Sequence, residues 1–73
     1  MLRAKVYPTG LRKWELPGST LSILWQGPGS PLMLVADVPG GMMTSIDCEG
    51  SNGHYDTIIQ AQAAVDSFVS KSL

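Results

Sequence analysis

Residues 57–73, TIIQAQAAVDSFVSKSL, are the one segment of the sequence with a clear helical periodicity, and the fold class follows from it. At 100° per residue, its apolar side chains fall on one stripe and its polar side chains fall opposite. The apolar stripe consists of Ile58, Ala61, Val65, Phe68 and Val69, and the polar side carries Gln60, Ser67 and Lys71. Thr57 and Gln60 have the spacing of a capping box, which predicts a helix over approximately residues 57–71. The apolar stripe requires a partner surface from the preceding part of the chain.

Glycine and proline divide the preceding residues into short segments. The turn signals are YPTGL (residues 7–11), LPGS (16–19), QGPGSP (26–31) and VPGG (38–41). Their spacing of about one strand length is typical of an antiparallel meander. The segments between them predict strands over approximately residues 2–7, 12–16, 20–26, 32–38 and 42–48. We therefore predict one α+β domain over residues 1–73, a four- or five-stranded antiparallel β-meander with the C-terminal α-helix packed on one face.

The segment SNGHYDTII, residues 51–59, leaves one alternative open. Asn-Gly is the strongest two-residue hairpin signal, so residues 55–59 could form a sixth strand instead of leading into the helix. The capping-box spacing of Thr57 and Gln60 favours the helix.

The composition limits the classes of function. The chain has 73 residues, of which 44% are hydrophobic and 15% are charged, against about 25% charged residues in typical soluble domains. A net charge of −1 excludes an electrostatic field that attracts the whole molecule to nucleic acid or to an anionic membrane. No apolar run approaches the roughly 18 residues of a spanning helix, and the N-terminal sequence has no signal-peptide pattern, so we expect a cytoplasmic protein. A domain this small buries little apolar surface, so oligomerisation or partner binding is expected.

The strongest candidate for catalysis is DCEGSNGHYD, residues 47–56, which gathers Asp47, Cys48, His54, Tyr55 and Asp56. A thiol, an imidazole and a carboxylate are the groups that activate a cysteine nucleophile. Catalytic Cys and His residues normally converge from distant segments, however, and free Cys is among the most buried residue types. We therefore interpret Cys48 as a small buried residue and His54 as a loop residue, and we predict that the protein is not an enzyme.

Metal and cofactor sites lack their usual residues. Zinc requires three or four Cys or His ligands, whereas the sequence has one Cys and one His. The glycine-rich turns are not followed by the lysine and the helix start of a phosphate-binding loop. We predict no metal site and no cofactor.

The sheet has more apolar side chains than one helix can cover. If alternate strand residues such as Ile23, Trp25 and Ile46 face the helix, other apolar side chains remain on the reverse face. These are Leu24, Met33, Val35 and Met43, with Tyr7 or Trp14 near the rim. Apolar patches of this kind mark interfaces, and Met suits a surface that adapts to a partner. The alternative is that the twisted sheet curls and buries these side chains.

The leading functional hypothesis is a small non-enzymatic protein-binding module. It would dock the reverse face of its sheet onto a second copy of itself, as a homodimer, or onto a larger protein. Proteins of this size and composition are typical of phage and mobile-element accessory genes, including anti-CRISPR-like inhibitors that occlude a surface of a host defence complex. In this hypothesis Leu24, Met33, Val35 and Met43 are the anchors.

Two alternatives belong to other classes of function. A basic N-terminal hairpin could bind nucleic acid, with Arg3, Lys5, Arg12 and Lys13 on phosphates. Strong non-specific binding uses roughly six to ten phosphate contacts, so four basic side chains favour a solvated sheet edge instead. The third hypothesis is an oligomer that sequesters a small ligand between protomers.

Overall fold

The strands form in the segments between the turns rich in glycine and proline, because these residues do not continue a ladder. A computed structural model describes residues 1–41, 43–46 and 54–72. Its strands are β1 (Lys5–Val6), β2 (Arg12–Glu15), β3 (Leu21–Trp25), β4 (Leu32–Ala36) and β5 (Met43–Ile46), and its helix is α1 (Ile58–Ser72). The strands pair antiparallel in sequence order, β1-β2-β3-β4-β5, in one sheet. The predicted α+β meander with a C-terminal helix is confirmed.

The first strand is shorter than the predicted residues 2–7, because the N-terminal segment bonds to the helix. The Leu2 N–H donates to the Asp66 Oδ1 at 3.3 Å, and the Gln62 Nε2 donates to the Leu2 carbonyl oxygen at 2.7 Å. The backbone of Leu2 therefore has partners in α1 and does not extend the ladder of β1. This segment ties the first strand to the last element of the chain.

The alternative of a sixth strand over residues 55–59 is wrong. Tyr55 forms one isolated antiparallel bridge with Ser30, and the helix begins at Ile58. The Thr57 Oγ1 accepts a hydrogen bond from the Gln60 N–H at 3.2 Å, while the Gln60 Oε1 accepts one from the Asp56 N–H at 3.1 Å. The two side chains predicted to cap the helix thus satisfy donors at its start, and these bonds favour the helix over further strand pairing.

The hairpin turns follow the residues that the sequence supplies. In LPGS, Gly18 has a φ of +72° and the Ser19 N–H donates to the Leu16 carbonyl oxygen at 3.3 Å. A positive φ at the third residue is the requirement of a type II turn, and glycine meets it without steric cost.

The turn between β4 and β5 has no room for a side chain at Gly41. A Cβ at this position would collide with the backbone carbonyl oxygen of Ala36 and press on that of Val38. We expect Gly41→Ala to lower the free energy of unfolding by about 1–3 kcal/mol, because backbone atoms must shift to admit the methyl group. Urea unfolding followed by circular dichroism measures the change. Ser45→Ala, at an exposed position of the same hairpin, is the control, and equal stability of the two variants would contradict the prediction.

The core lies between one face of the sheet and the helix. The register places Trp14 opposite Ile23, and Ile23 opposite Leu34, so these side chains share a face. The buried core consists of Trp14, Leu16, Ile23, Trp25, Leu32, Ile46, Tyr55, Ala61, Ala64 and Val65. Ile58, Phe68 and Val69 pack against it, in agreement with the predicted apolar stripe of the helix. We call this side of the sheet the core face and the opposite side the reverse face.

Trp14 belongs to the core face, which corrects the prediction that it lies near the rim of the reverse face. Its side chain is fully buried, and its indole Nε1–H donates to the Gln62 Oε1 at 3.0 Å. The helix therefore covers Trp14 and satisfies its one polar group, so no part of it is available to a partner.

The helix of the described residues is 15 residues long and includes polar and charged side chains, so it falls short of a bilayer-spanning segment.

Candidate protein-docking surface

Four apolar side chains lie together on the reverse face of β3, β4 and β5. In the register, Leu24 is opposite Met33, and Val35 is opposite Met43. Leu24 follows Ile23 in β3, and Met33 precedes Leu34 in β4. Ile23 and Leu34 belong to the core face, and successive strand residues point to opposite faces, so Leu24 and Met33 lie on the reverse face. We call Leu24, Met33, Val35 and Met43 the apolar patch. The structure places all four on one surface, on the side of the sheet away from the core.

The apolar patch is open to solvent to different degrees. Met43 is 59% exposed, whereas Leu24, Met33 and Val35 are half-buried. None of the four belongs to the buried core or to the side chains packed against it. A cavity of about 320 Å³ lies beside the patch, lined by Leu24, Gln26, Ser30, Pro31, Met33 and Met43. The surface is therefore apolar in its middle with polar groups at one end.

The other half of the reverse face is polar and pairs within itself. The Ser22 Oγ–H donates to the Asp37 Oδ2 at 2.8 Å, and the Lys13 Nζ lies 3.5 Å from the same oxygen. Ser22 is only 1% exposed, so its hydroxyl is satisfied inside the protein. The Lys5 Nζ and the Glu15 Oε1 lie 3.8 Å apart, with both side chains largely exposed. These pairs limit the apolar patch to one half of the face.

The basic residues of the N-terminal hairpin do not converge on one surface. Lys5 is opposite Lys13 on the reverse face, where each has an acidic partner. Arg12 is opposite Val6 and the buried Trp25, so it lies on the core face of the sheet. Arg3 is exposed and precedes β1. Two of the four predicted phosphate ligands are therefore already paired, and Arg12 lies on the opposite face of the sheet from them. A stripe of positive charge is not formed.

Tyr7 lies where β1 enters its turn. Its side chain is 37% exposed, and its backbone N–H donates to the Leu11 carbonyl oxygen at 2.9 Å. The turn is anchored to β2, several strands away from Met43 in the sheet order. Tyr7 is accessible, but β2 lies between its strand and β3, the nearest strand that contributes to the apolar patch.

The predicted catalytic cluster is only partly within the described residues. Asp47 and Cys48 lie outside them, whereas His54 and Asp56 are exposed and Tyr55 is buried. Tyr55 has a structural position, because its backbone carbonyl oxygen accepts a hydrogen bond from the Gly29 N–H at 2.8 Å and its N–H donates to the Ser30 carbonyl oxygen at 3.1 Å. In residues 1–41, 43–46 and 54–72, no three His, Cys, Asp or Glu side chains are grouped so that they could hold a metal ion.

Two features of the surface were not anticipated from the sequence. One is the hydrogen bond between the buried Ser22 and the exposed Asp37, which are 15 residues apart in the chain and meet only through the register of β3 and β4. The other is Ile59, which is 78% exposed on the outer side of the helix. Its position next to Ile58, one residue off the apolar stripe, is the sequence signal for its exposure.

Comparison of the chain with protein-family models, with curated proteins and with solved structures finds no match.

Proposed function

We propose that the protein is a non-enzymatic protein-binding module that docks onto another protein through the apolar patch. The observation that carries the proposal is the grouping of Leu24, Met33, Val35 and Met43 on the sheet face away from the helix. The chain has only 15% charged residues, and burying the apolar patch against a partner surface removes it from water, which is favourable.

The composition of the patch suits the centre of an interface. Interface cores are depleted in charge and enriched in Met and aromatic side chains, and they are enclosed by polar neighbours that exclude water. Met33 and Met43 have flexible side chains that fill irregular gaps in a partner. Gln26 and Ser30 border the patch on one side, and the pair of Ser22 and Asp37 borders it on another. The patch supplies affinity, and this polar border fixes orientation.

The mechanism of such a module is occlusion. A small protein that docks a flat sheet face onto a larger complex covers the residues that the complex needs for its own ligand. The size and composition of the chain support one such role, an accessory protein of a phage or mobile element that blocks a host defence complex in the manner of anti-CRISPR inhibitors. In that role the apolar patch contacts the complex, and the helix faces solvent.

A charge in the patch tests the proposal. We expect Met33→Glu to weaken partner binding at least tenfold, because docking would desolvate a carboxylate that has no counter-charge in the patch. The protein is used as bait in a host-cell lysate, and native mass spectrometry identifies what it retains. Ile59→Glu is the matched control, since it also replaces an apolar side chain by a carboxylate, but at a position on the helix that is 78% exposed.

The expected result is a defined complex with the wild-type protein and with Ile59→Glu that is absent with Met33→Glu. The complex should also persist at about 0.5 M salt, where charge pairs on surfaces are screened. A wild-type protein that retains nothing, or a complex that Met33→Glu retains equally, would refute docking through the patch. Binding to DNA or RNA that weakens steeply with salt and is unaffected by Met33→Glu would favour the basic-hairpin alternative instead.

A further inference from the structure

The two edges of the sheet are protected to different extents. Edge strands expose unpaired backbone groups, and proteins protect them with short strands, charged side chains or prolines. The β1 edge has two of these devices, because it is two residues long and includes Lys5. The β5 edge has neither, because it is four residues long, reads Met-Thr-Ser-Ile and includes no charge and no proline. The β5 edge is therefore the more suitable one for pairing with a further strand.

The first three residues of β5 leave room for a neighbour on both faces of the sheet. Met43 and Ser45 are exposed on the reverse face. Thr44 is opposite Leu34 on the core face, yet it is also exposed, so the helix does not extend over the middle of β5. Among the described strands, β5 has only β4 beside it. A strand from another molecule can thus approach its outer edge without meeting the helix at Thr44.

We propose that β5 pairs antiparallel with β5 of a second copy of the chain, so that two five-stranded sheets join into one continuous sheet. Self-pairing brings no like charges together, since Met43–Ile46 are all uncharged. The net charge of −1 on each copy also opposes association only weakly. The second copy is therefore electrostatically compatible with this edge.

The symmetry of this dimer determines what it does to the apolar patch. Antiparallel pairing of two identical edges has its two-fold axis perpendicular to the sheet, and the axis passes between one residue and its own copy. Both reverse faces then lie on the same side of the joined sheet, and both helices lie on the other. Met43, which is part of the patch, lies next to the joint in each copy. The two patches become one larger surface with two-fold symmetry.

The inference uses the edge of the sheet, whereas the proposed function uses its reverse face, so each can hold without the other. In either register centred on the middle of β5, the two copies of residue 44 lie on the same face, directly opposite or on the diagonal within about 8 Å. Like charges at this position therefore repel, and opposite charges attract. This makes Thr44 the residue with which to test the pairing.

The test compares Thr44→Lys and Thr44→Glu, alone and mixed, by sedimentation equilibrium at roughly 10–500 µM, the range in which micromolar association is measured. We expect the wild type and the control Thr44→Val to dimerise, each charged variant alone to associate at least tenfold more weakly, and the equimolar mixture to recover dimers. Circular dichroism establishes that each variant is folded.

A wild-type protein that is monomeric over the whole range, or charged variants that dimerise as well as the wild type, would overturn the inference. The patch variant Met33→Glu separates this outcome from failure of the proposed function. If edge pairing is correct, Met33→Glu still dimerises whether or not it retains a partner from the lysate. Dimers lost with Met33→Glu but kept with both Thr44 variants would place the contact on the face and contradict pairing through β5.

Discussion

Trp14→Ala is expected to reduce the free energy of unfolding by about 3–5 kcal/mol, the usual range for deleting a buried aromatic side chain. Trp14, on the core face of β2, is fully buried beneath the helix, and it donates a hydrogen bond to the Gln62 Oε1. A domain of 73 residues has a total stability of roughly 4–11 kcal/mol. The substitution therefore removes much of the stability and leaves a variant that is partly or fully unfolded at 37 °C.

The effect of Trp14 extends beyond its own volume, because it helps to hold the N-terminal segment. The Gln62 amide that accepts from Trp14 also donates to the Leu2 carbonyl oxygen and to the Asp66 Oδ1 at 3.1 Å. Loss of the indole leaves the Gln62 Oε1 without this donor and loosens a group that joins β2, the helix and the N-terminal segment.

Urea unfolding followed by far-ultraviolet circular dichroism measures this loss, since fluorescence would lose one of its two tryptophan reporters. Trp14→Phe is the informative comparison, because it retains most of the apolar volume and removes the N–H. We expect it to be intermediate between the wild type and Trp14→Ala. If the free energy of unfolding of Trp14→Ala is within about 1 kcal/mol of the wild-type value, the conclusion that Trp14 is packed under the helix is wrong.

Val65→Asp is expected to abolish folding, or to cost more than about 4 kcal/mol if a folded form persists. Val65 is fully buried in the middle of the helix, between the buried residues Ala61 and Ala64 and the core face of the sheet. A carboxylate at this position has no cationic partner in the core cluster, so the helix would have to leave the sheet to hydrate it.

The same helix provides the control for Val65→Asp. Ile59→Asp makes a similar change where the side chain is 78% exposed, and we expect a stability within about 0.5 kcal/mol of the wild type. Thermal unfolding by circular dichroism distinguishes the two variants. Comparable losses of stability at the two positions would show that the helix does not protect one face of the sheet, and the assignment of a separate reverse face would fail with it.

Much of the architecture could be predicted from local patterns. The positions of the turns followed from glycine and proline, and the helix and its cap followed from the 3.6-residue periodicity and from the spacing of Thr57 and Gln60. The strand limits were less accurate. Leu2 was assigned to the first strand from its alternation with Arg3, but its backbone bonds to Gln62 and Asp66, some 60 residues away in the sequence. The alternation of residues within a segment does not reveal hydrogen bonds to residues this far away in the sequence, which can replace strand pairing.

The candidate site was predicted more unevenly. Alternation within each strand, together with the excess of apolar residues, was enough to group Leu24, Met33, Val35 and Met43, and the register places them on one face. Alternation also separated Trp14 from its neighbours but did not say which face the helix would cover, and the rim assignment of Trp14 was wrong. The basic residues were grouped by their proximity in sequence, which the register then divided between two faces.

The order of the elements and the side chains that share a face could be predicted from local patterns, because turn chemistry and periodicity act between residues close together in the chain. Which face of the sheet became the core depended on contacts between residues far apart in the sequence. The helix covered the side with both tryptophans, because burying the two rings removes a large apolar area from water, and there the indole N–H of Trp14 donates to the Gln62 Oε1 of the helix. The side chains of Met33 and Met43 have no N–H or O–H group that needs an acceptor, and they lie on the reverse face.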